Sequence, residues 1–183
     1  MEQILRYIKK SFKIVLMLSI LYIGYAFIYG NFHKIDNLAY RSGQLFWFNM
    51  PYYLTKYNIK TVINLRGEQN RWWYKDEVKI LKDRNITLIN YQISSKRYLS
   101  PEKIQELVEI LKNAKKPILI HCQGGADRTS LVSAIYKHAI LKKDIKESRA
   151  ELSFIYGHIP LFRPDVKEMD RSFEDFVTFR LAK

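Results

Sequence analysis

Residues 117–130 read PILIHCQGGADRTS, and this stretch decides the fold. Pro117 opens ILIH (118–121), short, apolar and β-branched enough to be a buried strand. A helix is predicted to start near Arg128 and run to about Leu141. Between them Cys122 and Arg128 enclose five residues, Gln123, Gly124, Gly125, Ala126 and Asp127. A tight turn of successive backbone N–H groups above the positive end of a helix is an anion-binding nest. The glycines permit backbone angles that side chains forbid. Arg128 can fork onto two phosphate oxygens. The same field favours the thiolate of Cys122, which makes it a candidate nucleophile. Thr129 and Ser130 can hydrogen-bond that sulfur, or simply pack at the helix start.

Outward from this loop, strands and helices alternate. Residues 38–44 (LAYRSGQ) read as a short strand entering a turn at Gly43, followed by an aromatic-rich stretch, 45–57, with a helix near Pro51. KTVINL (60–65) is a buried strand, 74–84 a short helix, and ITLINYQI (86–93) another strand. Ser100 then Pro101 is an N-cap with proline at the first helical position, and Ile104, Leu107, Val108 and Leu111 follow as one buried stripe. Asp144 is expected to cap a helix through Tyr156, stopped by Gly157, and 165–181 to form a last helix. The alternation predicts an α/β fold with a mainly parallel central sheet flanked by helices.

The 183 residues hold 31 Lys and Arg against 18 Asp and Glu, a net charge of +13, which favours anionic partners. One cysteine excludes an intramolecular disulfide and a multi-cysteine metal site. His33, His138 and His158 have no metal-ligand spacing, and His158 beside Gly157 reads as a turn residue. No metal or cofactor is expected, and nucleic acid binding has only the charge behind it. Residues 1–13 carry Arg6, Lys9, Lys10 and Lys13 against Glu2, and residues 14–32 (IVLMLSILYIGYAFIYGNF) then run without a charge. That length suits one transmembrane helix, or a signal segment cleaved after Ala26. The basic residues predict a cytoplasmic N-terminus and export of the catalytic domain, residues 33–183, to the periplasmic or extracytoplasmic side.

The motif from His121 to Thr129, H-C-x-x-G-x-x-R-T, resembles the signature of cysteine-dependent protein tyrosine and dual-specificity phosphatases. LAYRSGQ (38–44), TVINLRGE (61–68), LSFIYGH (152–158) and MDRSFEDF (169–176) are similar to segments of a bacterial, exported, dual-specificity-like group. The resemblance covers roughly residues 35–178, and many members of the group have a hydrophobic leader. It implies a dual-specificity-like fold, Cys122 as nucleophile and Arg128 as phosphate clamp. Ser130 stands where many relatives have glycine.

Many of these phosphatases place an acidic residue on a loop upstream of the cysteine, but residues 90–100 (NYQISSKRYLS) contain no Asp or Glu. Asp127 is therefore the candidate general acid, as in the myotubularin-like relatives; its other reading is a helix cap. His121 can hydrogen-bond near the thiolate or be a buried structural residue. Arg41 and Arg66 each follow a strand and either face the pocket or stay solvated, and Trp72-Trp73-Tyr74 forms core or a pocket wall. The leading expectation is a metal-independent phosphatase of phosphorylated protein, working through a phosphocysteine. Lipid phosphate is the alternative substrate, and a catalytically silent phosphate-binding module the alternative function. Sulfur transfer on a rhodanese-type loop typically has a shorter Cys-to-Arg spacing.

Overall fold

The computed structural model describes residues 2–181, apart from the side chains at 2, 23, 26 and 27. Helix α1 (Glu2–Tyr29) precedes β1 (His33–Lys34) and β2 (Ala39–Ser42). There follow α2 (Met50–Lys56), β3 (Thr61–Asn64), α3 (Trp72–Asp83), β4 (Thr87–Asn90) and α4 (Pro101–Asn113). The chain ends with β5 (Ile118–His121), α5 (Asp127–Ile135), α6 (Ile145–Arg149) and α7 (Lys167–Leu181). Strand order is β1-β2-β5-β3-β4. β5, from the quoted stretch, is the central strand, parallel to β2 on one side and to β3 on the other.

Its four residues are all buried because helices cover both faces of the sheet. Ile118 and Ile120 point into a core with Leu107, Leu131 and Phe173, from α4, α5 and α7. Leu119 points the other way, into a second core with Met50, Leu54 and Leu81, from α2 and α3. This is the period-two alternation of a strand buried on both sides. The sheet is mixed, which corrects the mainly parallel one expected. β1 pairs antiparallel with β2 because the chain turns back at Asp36, whose Oδ1 accepts from the Leu38 N–H at 2.9 Å.

Two helix assignments also change. The helix expected from Asp144 through Tyr156 ends at Arg149, although Asp144 does cap it, accepting from the Glu147 N–H at 2.7 Å. It stops because Glu151 turns inward to a buried arginine, and Phe154–Tyr156 is a separate 3-10 turn closed by Gly157 at φ +88°. The helix after the loop starts at Asp127, and its last turn, Tyr136–Ile140, widens to π geometry.

Among the described residues no helix is long and apolar enough to cross a membrane, which corrects the transmembrane assignment over residues 14–32. α1 instead takes in the basic cluster and most of the uncharged run as one 28-residue element, and it ends at Tyr29. Its end is tied to the domain. Asn49 Nδ2 donates to the Ile28 carbonyl at 2.8 Å, and Tyr53 Oη donates to the Tyr29 carbonyl at 3.0 Å.

Candidate active site

Parallel strands gather a site at their carboxyl ends. Here Ser42, His121 and Asn64 are in register at the ends of β2, β5 and β3, and the chain enters the loop directly after His121. Cys122 is buried, 3% exposed. Gly125 has φ +69°, and a Cβ there would lie 2.5 Å from the backbone nitrogen of Gly43. Only glycine lets the loop lie this close to the end of β2.

The loop carbonyls are held from outside. The Gln44 N–H donates to the Gln123 carbonyl at 2.9 Å, and Asn31 Nδ2 donates to the Gly124 carbonyl at 2.9 Å. Arg41 donates through one guanidinium nitrogen to the Gly125 carbonyl at 2.9 Å. The Ala126 carbonyl accepts from the Ser130 N–H at 3.0 Å, the first turn of α5. Among the described residues, the N–H groups of Gln123, Gly124, Gly125 and Ala126 have no protein acceptor. Paired carbonyls and unpaired donors, on top of a helix N-terminus, make a site for an anion.

Arg41 is neither solvated nor a wall of the pocket, as the two sequence readings had it. It is 0% exposed beneath the loop. Besides Gly125 it donates to the Ser130 hydroxyl at 2.7 Å and to Glu151 Oε2 at 2.5 Å, and the Tyr156 ring lies 3.8 Å from its guanidinium carbon. Burial lowers its pKa, and the charge of Glu151 opposes that shift. Ser130 thus serves Arg41, which accounts for a hydroxyl where relatives have glycine. Thr129 Oγ1 donates to the Ser42 carbonyl at 3.4 Å. His121 is fully buried, with Nε2 2.7 Å from Glu77 Oε1, so it takes the structural of its two roles.

Arg128 reaches over the ends of two strands, donating to the carbonyls of Leu65 at 3.3 Å and Ile93 at 3.4 Å. Its Nε is buried and bonded to no protein atom. Arg66 does face the cleft, stacked 3.4 Å over Trp73 and donating to Gln44 Oε1 at 2.8 Å. Burial and then the positive charge of Arg128 pull its pKa down, while Cys122 and Glu77 pull it up. The cleft of about 530 Å³ is walled by Gln44, Phe46, Arg66, Trp72, Tyr156 and Tyr22 of α1, over a floor of Gln123, Gly124 and Ala126.

Asp127 has both carboxylate oxygens occupied. Oδ1 is 2.8 Å from His158 Nδ1, and Oδ2 accepts from Arg163 at 2.9 Å. His158 is not the turn residue expected. It is buried and reaches Asp170 Oδ2 through Nε2 at 2.9 Å. Burial alone would lower its pKa, but hydrogen bonds to two carboxylates outweigh that and raise it to about 9. Sequence reasoning missed Asn31, Glu151 and Arg163 as well, since each meets the loop only across long stretches of chain. The signal for His158 was its place in the LSFIYGH segment.

A cysteine and an arginine framing an anion nest at the end of a central parallel strand define a cysteine-dependent phosphatase of the dual-specificity type. A family model described as the DSP-PTPase phosphatase fused to NAD+ kinase matches residues 34–159, and the chain belongs to that family. Among solved structures, TpbA of P. aeruginosa superimposes with a TM-score of 0.66 at 20% identity, over 83% of this chain and 89% of that one. The catalytic domain of the PP-IP phosphatase SIW14 of S. cerevisiae gives 0.62 at 21% identity, over 83% and 90%. PTPMT1 gives 0.60 at 14% identity, over 83% and 99%. These likenesses concern the fold. No curated protein sequence matches the chain.

Arg41→Met should cost about 3 kcal/mol of stability, because it leaves buried Glu151 with only Lys137 as its cation and a loop carbonyl without its donor. Urea unfolding measures this, and a cost below about 1 kcal/mol would contradict the role assigned to Arg41. The His158 pKa of about 9 against 6.5 for a free histidine means that its protonation stabilises the fold fully below pH 6.5. That contribution disappears as pH rises through 9. The melting temperature should fall over this range in the wild type, and His158→Gln should flatten the fall. An unchanged slope in the variant would exclude the ion pair.

Proposed function

We propose that this phosphatase hydrolyses phosphate monoesters without a metal, through a phosphocysteine on Cys122. One observation carries the reading: four successive loop N–H groups lack protein acceptors, and the buried Nε of Arg128, the next residue but one along the chain, lacks one too. A phosphoryl group has three non-bridging oxygens, which this set of donors suits. The Cys122 thiolate attacks phosphorus in line, and the bond to the ester oxygen breaks. That oxygen leaves as an alcohol with a proton from water in the open cleft. A second water cleaves the S–P bond, releasing inorganic phosphate and restoring the thiolate.

Asp127 enters this scheme as a positioning residue. A general acid needs a carboxyl free to reach the leaving oxygen, and both carboxylate oxygens of Asp127 are engaged, one by His158 and the other by Arg163. Its contacts instead fasten the start of α5 to the segment that carries Tyr156 and Gly157, two walls of the cleft.

Solved neighbours support a phosphorylated substrate but differ in its kind: TpbA has been captured with phosphotyrosine, and SIW14 is described as a PP-IP phosphatase. The exported location follows from the basic residues ahead of the apolar run, and it is part of this proposal.

Cys122→Ser should abolish turnover of p-nitrophenyl phosphate while vanadate still binds, since the loop amides and Arg128 remain. A wild-type chain that binds vanadate without any turnover would instead be a silent phosphate-binding module. Asp127→Asn separates positioning from acid catalysis. Loss of an acid slows alkyl phosphates by ~10²–10⁴-fold while sparing the nitrophenyl ester, whose leaving group needs no proton. Equal losses on both, with a lowered melting temperature, are expected here. A loss confined to alkyl phosphates would make Asp127 the acid.

A further inference from the structure

Several large apolar side chains on segments that line the cleft are exposed. Trp72, at the start of α3, lines the cleft and remains 60% exposed. It stacks on Phe46, ring centroids 5.7 Å apart, and the aromatic run continues to Trp47, 64% exposed. Phe154, two residues before the lining Tyr156, is 74% exposed. Farther along the same segment, Leu161 and Phe162 are exposed at 81% and 78%. Large apolar residues exposed this fully on segments that lead into one cleft mark an interaction surface.

The occupant is chosen by three features. First, the rim is continuous with α1. Tyr22 of that helix lines the cleft, and Gly30, just past the helix end, accepts from the Gly43 N–H at 2.7 Å, beside the loop. Between Tyr22 and Gly30 the helix climbs about 12 Å along the cleft. Beyond Tyr22, Leu18 and Leu21 remain exposed. Second, basic groups neighbour the apolar ones in sequence: Arg71 precedes Trp72 and Arg163, also paired with Asp127, follows Phe162, while Arg6, Lys9, Lys10 and Lys13 lie at the far end of α1. Aromatic and aliphatic side chains interleaved with Arg and Lys suit an anionic lipid interface. Third, the strands whose carboxyl ends meet the cleft offer a peptide no free edge. β2 and β3, whose ends meet it, are each paired on both sides. A phosphopeptide laid across the mouth would find apolar rings where its backbone needs hydrogen bonds.

We infer that the rim seats the cleft on an anionic membrane surface, and that the substrate is a phosphate monoester carried by a lipid. The headgroup phosphate descends to the loop amides and Arg128. The hydrocarbon stays among Trp47, Trp72, Phe154, Leu161 and Phe162. The chemistry is the phosphocysteine reaction above and the inference rests on that reading.

The test uses the full chain with phosphatidylcholine–phosphatidylglycerol vesicles containing phosphatidic acid, a phosphatidylinositol phosphate or a polyprenyl phosphate. p-Nitrophenyl phosphate and a phosphotyrosine peptide, both without vesicles, serve as soluble arms. At least one vesicle-borne lipid should be hydrolysed with a higher kcat/KM than the peptide. The triple variant Phe154→Ser, Leu161→Ser, Phe162→Ser should lose about tenfold or more on that lipid, through weakened interfacial binding. Its rate on p-nitrophenyl phosphate should stay at the wild-type value, which also shows that the variant folds. Wild-type turnover of nitrophenyl phosphate or peptide with none of any lipid overturns the inference and leaves the phosphatase reading standing. No turnover of any substrate overturns that reading itself. Lipid turnover untouched in the triple variant overturns the rim as the membrane contact.

Discussion

The site depends on a buried guanidinium. Arg41 leaves the end of β2, passes under the phosphate loop and joins three parts of the chain that are far apart in sequence. A charge at 0% exposure is tolerable only because Glu151 meets it and its other donors find Gly125 and Ser130. Glu151 is itself shared with Lys137 at 2.7 Å. This network also explains why the helix from Asp144 is short. The chain must leave helical geometry to bring Glu151 inward, and it then places Tyr156 over the same arginine.

That anchor gives the loop its polarity. A turn can offer either its carbonyls or its N–H groups to one side, and here every carbonyl from Gln123 to Ala126 is taken by a donor behind or beneath. The N–H groups of Gln123 to Ala126 are left without protein acceptors, as is the buried Nε of Arg128. Gly125 contributes by shape: any side chain there would strike the backbone of β2. Anion binding is therefore a property of the packing between β2, β5 and α5, and no single residue supplies it.

The same packing relates the N-terminal helix to the chemistry. Asn31 follows α1 and bonds directly to the loop at Gly124, while α2 holds the last turn of that helix through Tyr53 and Asn49 supports it at the start of α2. The helix therefore cannot drift away from the cleft without releasing a loop carbonyl. Tyr22 of that helix lines the cleft itself.

By itself the sequence determined the local matters. ILIH was legible as a strand buried on both faces, and Cys122, Gly124, Gly125 and Arg128 as a candidate anion-binding loop, because strand burial and nest geometry are written in adjacent residues. Ser100 and Asp144 were legible as caps for the same reason. Tertiary structure alone decided the rest. The two-residue strand β1 is too short for a periodic signal, so the antiparallel edge was invisible. The roles of Arg41, Asp127 and His158 depend on partners 110, 36 and 12 residues away, Glu151, Arg163 and Asp170. Charge and hydrogen bonding act through space, and a linear pattern records which groups exist but not which of them meet.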